Sequence, residues 1–164
     1  MKGILKEGSK LLGKARLYGR VGLRGMTPLK GYVMLRYWFL TNIFRKKIPW
    51  LIELSVTYRC QCKCPHCSVG EYLDKASKRD EMNSAQIKNI LGQAVKLGIP
   101  KVDFFGGEPL LKEDIIELIR FGAGKGLYMS MTTNALLLTK ELAGELKRAG
   151  ISCINISLDS VSEE

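Results

Sequence analysis

The chain predicts an α/β fold: a parallel sheet of the TIM-barrel kind with its helices packed outside. Two observations predict it. From Trp50 onward, strand-like and helix-like segments alternate along the sequence, the pattern that gives parallel strands joined by right-handed crossovers. The unusual polar, cysteine-bearing and glycine-rich segments all follow strand-like stretches. In such barrels the strand-to-helix loops gather on one face, where active sites lie. About four β/α units are present, too few to close an eight-fold barrel.

The first strand is read in Leu51–Thr57, where apolar and polar residues alternate. A long loop carries cysteines and then a polar stretch to about Met82. Asn83 is a helix cap with Gln86 three residues on, the spacing of a capping box. Ile87, Ile90, Leu91, Ala94 and Val95 form the buried stripe of that helix, and Gly98 and Pro100 stop it. Val102–Phe105 is the second strand and Gly106-Gly107-Glu108-Pro109 its turn. Ile115, Ile116, Leu118 and Ile119 supply the core of a second helix that Gly122 ends. Leu127–Met131 is the third strand, followed by Thr132-Thr133-Asn134-Ala135. A third helix is expected over residues 139–149, with Leu142 and Leu146 inward and Gly150 as terminator. Ile151–Leu158 is the fourth strand.

With 164 residues, 46% of them apolar, the chain is long enough to bury a core of its own. The net charge of +10 is unevenly placed. Residues 1–49 carry 12 basic residues against one acid, Glu7, whereas residues 50–164 carry 14 basic residues against 15 acids. The molecule is therefore read as a basic arm, 1–49, joined near Pro49 to a near-neutral domain, 50–164. No apolar region of a secretory signal stands in the first thirty residues. The longest apolar stretch, Tyr32 to Phe44, is interrupted by Arg36 and falls short of the roughly 20 residues of a spanning helix. The expectation is a cytoplasmic protein, peripheral at the membrane if at all, with its five cysteines reduced.

Chemistry concentrates in the run Arg59-Cys60-Gln61-Cys62-Lys63-Cys64-Pro65-His66-Cys67. Cys60, Cys64 and Cys67 can hold three corners of an iron–sulfur cluster and leave the fourth iron open to a substrate or cofactor. Thiolates also bind zinc, and a zinc knuckle or free thiols are the alternative. Structural zinc sites favour two separated ligand pairs, and no second pair is present here. Cys62 is additional to the triplet, and Cys153 in the fourth strand reads as a small buried apolar residue. Gly106-Gly107-Glu108-Pro109 is at least a tight turn, with glycines for close backbone approach and Pro for a first helical turn. Asn134, Ser157 and Asp159 are polar residues at strand ends, where turn formers are common. Ser157 and Asp159 stand at alternate positions and so share a strand face. Asp103 reads as an ordinary strand-face residue.

In combination, these segments resemble the radical S-adenosylmethionine (radical SAM) superfamily. The resemblance rests on the cysteine triplet and on the Gly-Gly-Glu-Pro segment, and it spans residues 50–164. It implies a partial (β/α)6 TIM-like barrel, so that two strands of the family core are missing and the chain is the N-terminal part of a longer enzyme. It implies two cofactors, a 4Fe–4S cluster on Cys60, Cys64 and Cys67, and S-adenosylmethionine at the open iron. Reductive cleavage of the sulfonium would then give a 5′-deoxyadenosyl radical that takes a hydrogen atom from a substrate. His66 stands where the family often has an aromatic residue beside the adenine. Gly106, Gly107 and Glu108 match the segment that holds the methionine amino group. Asn134, Ser157 and Asp159 match positions near the ribose or carboxylate. Thr133-Asn134-Ala135 resembles a family segment that usually ends in Gly, so Ala135 is a departure. The resemblance leaves the residues that act on the substrate unassigned. An external electron donor of the flavodoxin or ferredoxin type is implied. The reading from a different class is a non-catalytic metal-binding or membrane-associated module.

The arm has three readings. Lys6, Lys10 and Lys14 with Leu5, Leu11 and Leu12 are at helical spacing, and Tyr32, Tyr37, Trp38 and Phe39 stand near Arg36 and Arg45-Lys46-Lys47. Such a segment can lie on an anionic membrane surface. It can equally be a tail followed by a helix that closes the barrel's base. A nucleic-acid patch has the least support.

Overall fold

The computed structural model describes residues 26–67 and 81–158. The basic stretch at 1–25, the polar stretch at 68–80 and Asp159 lie outside the described residues.

Among the described residues helix α1, Pro28–Trp38, comes first and runs on into a π-helical turn, Phe39–Ile43. Thr27 caps it, its hydroxyl accepting from the Lys30 amide at 3.2 Å, with Pro28 in the first turn. Then follow β1 (Leu51–Thr57), α2 (Ser84–Leu97), β2 (Lys101–Gly106), a 3-10 turn (Pro109–Leu111), α3 (Ile115–Gly124), β3 (Tyr128–Thr133), α4 (Lys140–Ala149) and β4 (Cys153–Ile156). Helix α2 opens with the expected capping box, the Asn83 and Gln86 side chains each taking the other's backbone N–H at 2.9 Å. It ends at Gly98 in the left-handed region (φ 86°), as α4 ends at Gly150 (φ 97°).

The four strands among the described residues form one sheet in the order β1-β2-β3-β4, and every neighbouring pair is parallel. Glu53, Asp103, Ser130 and Cys153 stand in one register row. Alternation along the strands therefore gives the sheet one polar face, which also carries Ser55, Thr132 and Asn155. The opposite face presents Val56, Val102, Phe104, Met129 and Met131, all buried, to Ile87 and Leu91 of α2, Leu118 and Ile119 of α3 and Leu146 of α4. That layer is the core, with helices outside and a polar concave surface inside.

The fourth strand is shorter than the expected 151–158. It pairs only with β3 through Ile156, although the Ser157 amide still reaches the Thr133 carbonyl at 2.9 Å. Cys153 is correspondingly half-buried and not the buried core residue expected, because among the described residues β4 stands at the edge of the sheet and pairs on one side. The third strand starts one residue later than expected and runs two further, to Thr133.

Helix α1 lies across the N-terminal ends of the strands. Lys30, only 3% exposed, donates from Nζ to the Gly150 carbonyl at 3.1 Å and the Ser152 hydroxyl at 2.8 Å, just before β4. Burial lowers its pKa. Arg36 donates from Nη1 to the Val95 carbonyl at 3.1 Å and from Nη2 to that of Lys96 at 3.4 Å, so it tethers α1 to the last turn of α2. Gly126 sits against Leu29 and Val33, where a Cβ would come within 2.8 Å of the Leu29 side chain.

Candidate active site

At the other end of the sheet, β1 runs into the cysteine loop, and the loop's root is clamped from two sides. On one side stands the Gly106-Gly107 turn. The Gly107 amide donates to the Thr57 carbonyl at 2.8 Å and the Glu108 amide to the Arg59 carbonyl at 2.7 Å. A Cβ on Gly106 (φ 134°) would lie 2.2 Å from the Thr57 carbonyl oxygen, and one on Gly107 would lie 2.2 Å from that of Arg59. Only glycine fits at either position. On the other side stands Glu81, which the sequence reading missed. Its Oε1 accepts from the Thr57 hydroxyl at 2.5 Å and from the Tyr58 amide and Arg59 Nε, each at 3.3 Å. Burial works to raise the Glu81 pKa, but these donors and the Arg59 charge outweigh it and hold the carboxyl below its ordinary value. Glu81 is one acid among four in the polar stretch, with Glu71, Asp74 and Asp80, and gives no sequence signal of such a role.

Glu108 is fully buried beneath this end of the sheet. Oε1 accepts from the Thr133 hydroxyl at 2.7 Å and the Leu110 amide at 3.0 Å, and Oε2 accepts from the Asn134 amide at 2.9 Å. Its side chain thus ties the β2 turn to the end of β3, and the backbone beside it is what faces the opening. Asn134 in turn directs its side chain to the cysteines. Nδ2 lies 3.4 Å from the Cys62 sulfur and 3.9 Å from that of Cys60, while Oδ1 accepts from Gln61 Nε2 at 3.3 Å. Ala135 follows with φ 62°, a left-handed conformation that explains why glycine suits this position.

These segments enclose a cavity of about 290 Å³. Cys60, Cys62, Cys64, His66 and Cys67 line it with Gly106, Gly107, Asn134 and Ser157. Phe105, Thr132 and Thr133 also line it, residues that the sequence places at strand ends without marking them as part of the site. Of the expected site residues the structure therefore brings together all but two: Glu108, which supports the cavity from below, and Asp159, outside the described residues. Asp103 is buried lower on the concave face, where it accepts hydrogen bonds from the Ser130 and Thr132 hydroxyls. A second hollow of similar size, about 300 Å³, lies between Glu81, Lys112 and Asp114 and holds no cysteine.

The donor set fits a cluster. Thiols line one wall, and the glycine turn and Asn134 leave room beside them. Partial burial raises the Cys62 pKa, and the neighbouring Cys60 and Cys64 add to the shift. Among the described residues, no group of three or more Cys, His, Asp and Glu side chains stands at single-ion spacing. A tetrahedral zinc would draw its sulfurs to within about 4 Å of one another, given bonds near 2.3 Å. A cluster spreads its thiolates over separate irons.

Fold and cavity together define a parallel α/β half-barrel with a thiol-lined site at the C-terminal ends of its strands. The radical SAM superfamily profile matches residues 54–164, and the chain belongs to that family. The family's cofactors are a 4Fe–4S cluster and S-adenosylmethionine. The chain is 37% identical over 116 residues to the PqqA peptide cyclase of Bradyrhizobium diazoefficiens, covering 71% of this chain and 30% of that protein. It is 40% identical over 124 residues to the GTP 3′,8-cyclase of Geobacter sulfurreducens, covering 74% and 37%. The chain thus spans about a third of the length of these curated relatives. Among solved structures, BtrN in an open conformation superposes with a TM-score of 0.60 at 22% identity, over 71% of this chain and 53% of that one. Streptococcus suis SuiB bound to S-adenosylmethionine gives 0.56 at 25% identity, over 70% and 26%. The partial-barrel expectation is met by these neighbours.

Proposed function

We propose that this chain carries the cofactor-binding part of a radical SAM enzyme, with Cys60, Cys64 and Cys67 as the cluster ligands. The observation that carries the reading is one cavity lined by those three thiols, the Gly106-Gly107 turn and Asn134. When bound, the cluster and S-adenosylmethionine would supply a radical that takes a hydrogen atom from the substrate. The chain's residues do the positioning. The Gly106-Gly107 turn offers backbone carbonyls to an ammonium group. Glu108 holds that turn against β3. Asn134 and Ser157 offer polar side chains to a ribose or carboxylate, Asp159 extends that set, and His66 offers a ring to the adenine. In this reading residues 50–164 are the core and residues 1–49 a basic arm. An external donor of the flavodoxin or ferredoxin type delivers the electron, in the cytoplasm. The arm's surface partner is an anionic membrane.

Anaerobic reconstitution with iron and sulfide tests the reading. Iron with acid-labile sulfide, and a changed electron paramagnetic resonance signal of the reduced cluster when S-adenosylmethionine is added, are expected. Zinc near one equivalent without sulfide would instead make the chain a metal-binding module.

A further inference from the structure

Helix α1 is apolar on both sides, and among the described residues only one side is packed against the core. Val33 is buried against the barrel's base, while Tyr32 (62% exposed), Leu35 (57%) and Phe39 (46%) recur at three- and four-residue spacing on the opposite side. Trp38 stands beside them, 50% exposed and edge-to-face with Phe39 at 5.4 Å. A helix apolar all round is normally enclosed on all sides. A contiguous exposed apolar patch marks an interaction surface.

Charge says what fits there. Residues 26–50 contain no Asp or Glu. Two residues beyond the π-helical turn Arg45 is in the left-handed region (φ 53°), and the Lys46 amide returns to the Leu40 carbonyl at 2.9 Å. This sharp stop places the exposed Arg45, Lys46 and Lys47 directly after the aromatic stripe. An aromatic face with a cationic end and no acids complements the interface of an anionic bilayer, where aromatic rings sit among headgroups and cations meet phosphate and carboxylate. A second copy of the chain would offer the same cations and no acids on this face. Helix α1 is too short to span a bilayer, and among the described residues no helix is long and apolar enough to cross one.

We infer that the barrel docks base-down on anionic membranes through the outer face of α1. This docking rests on the membrane partner proposed above for the basic arm and holds whatever the cysteine cavity binds. Because α1 crosses the N-terminal strand ends while the cavity opens at the C-terminal ends, docking leaves the cavity facing the aqueous side.

The test mixes the full chain with phosphatidylcholine vesicles, with or without phosphatidylserine. Binding is expected to the phosphatidylserine vesicles and at least tenfold less to phosphatidylcholine alone. The variant Tyr32→Ser/Leu35→Ser/Phe39→Ser should lose at least tenfold in partitioning while keeping its thermal transition, since these side chains leave the core untouched. Lys46→Glu/Lys47→Glu should lose about fivefold or more for each charge, at about 1 kcal/mol per basic residue near the surface. In Trp50→Phe, which leaves Trp38 as the one tryptophan, brominated lipid should quench the fluorescence. If the triple serine variant binds as the wild type does, or Trp38 is not quenched, the basic residues outside α1 carry any attraction and the inference fails. It fails equally if vesicles are ignored and the triple variant converts a dimer to a monomer, which would assign the face to a second copy.

Discussion

Glu108 and Thr133 are joined by a 2.7 Å hydrogen bond beneath the cavity, the hydroxyl donating to Oε1. Both side chains are buried, and the other carboxylate oxygen takes the Asn134 amide. The bond couples the glycine turn after β2 to the residue that points at the cysteines. All three groups around Glu108 are donors, so the site requires an acceptor on both oxygens. Glu108→Gln must turn an NH2 towards a donor, at a cost of about 1–3 kcal/mol. We expect a lower urea midpoint and weaker S-adenosylmethionine binding by the reconstituted protein. Unchanged values of both would show that the carboxylate does not hold the two segments together.

A second prediction concerns acid. Glu81 has its pKa held below the ordinary value in the folded chain, burial being outweighed by the Thr57 and Tyr58 donors and the Arg59 charge. Its contribution is therefore complete above that ordinary value and is lost as pH falls through the lower folded value. Urea midpoints of the cluster-free chain should fall when pH is taken from 7 to below about 4. In Glu81→Gln the midpoint at pH 7 should already be lower and the remaining acid dependence flatter. An acid limb as steep in the variant as in the wild type would place the sensitive carboxyl elsewhere.

Much of this arrangement was legible because it is written in local chemistry. Asn83 and Gln86 declare a helix start at the spacing of a capping box, and Gly98 and Gly150 declare helix ends by the conformation they alone adopt easily. The cysteine spacing and the glycine pair carried the site. Glu81 and Glu108 were not legible in the same way. Glu81's partners, Thr57 and Arg59, lie 24 and 22 residues away in sequence. Glu108 passed as part of a ligand-binding turn, whereas its side chain supports a neighbouring strand. The exposed half of α1 was hidden for another reason. Helical spacing gives two apolar faces but not which of them the barrel covers.

A third prediction uses Ala135. Its φ of 62° costs an L-residue about 1–2 kcal/mol relative to a right-handed conformation. Glycine removes that cost, though its freer unfolded chain returns about 0.5–1 kcal/mol. Ala135→Gly should therefore raise stability by some tenths to about 1 kcal/mol, and Ala135→Val should lower it, because a β-branched residue fits a positive φ worst. Thermal unfolding of the two variants under identical conditions measures the order. A glycine variant less stable than the parent would contradict the left-handed assignment.

The last prediction separates the four thiols that share the cavity. Cys62 lies among the others, and its sulfur is the nearer of two to Asn134 Nδ2, 3.4 Å against 3.9 Å for Cys60. Proximity alone would therefore make it a ligand candidate. Spacing argues otherwise. Cys60, Cys64 and Cys67 leave three residues and then two between ligands, and Cys62 sits inside the first interval. A chain that passes from Cys60 to Cys64 around a cluster edge can turn Cys62 towards Asn134 and away from the irons. Replacing a true ligand by Ala leaves an iron without its thiolate, so the brown absorption of the reconstituted protein should be lost in Cys60→Ala, Cys64→Ala and Cys67→Ala. It should persist in Cys62→Ala, with iron and sulfide content unchanged. Asn134→Ala removes a donor beside two sulfurs and should shift the cluster's reduction potential downward without reducing its iron content, since hydrogen bonds to sulfur tune that potential. Loss of the cluster in Cys62→Ala together with its retention in Cys60→Ala would reassign the ligand set to Cys62, Cys64 and Cys67.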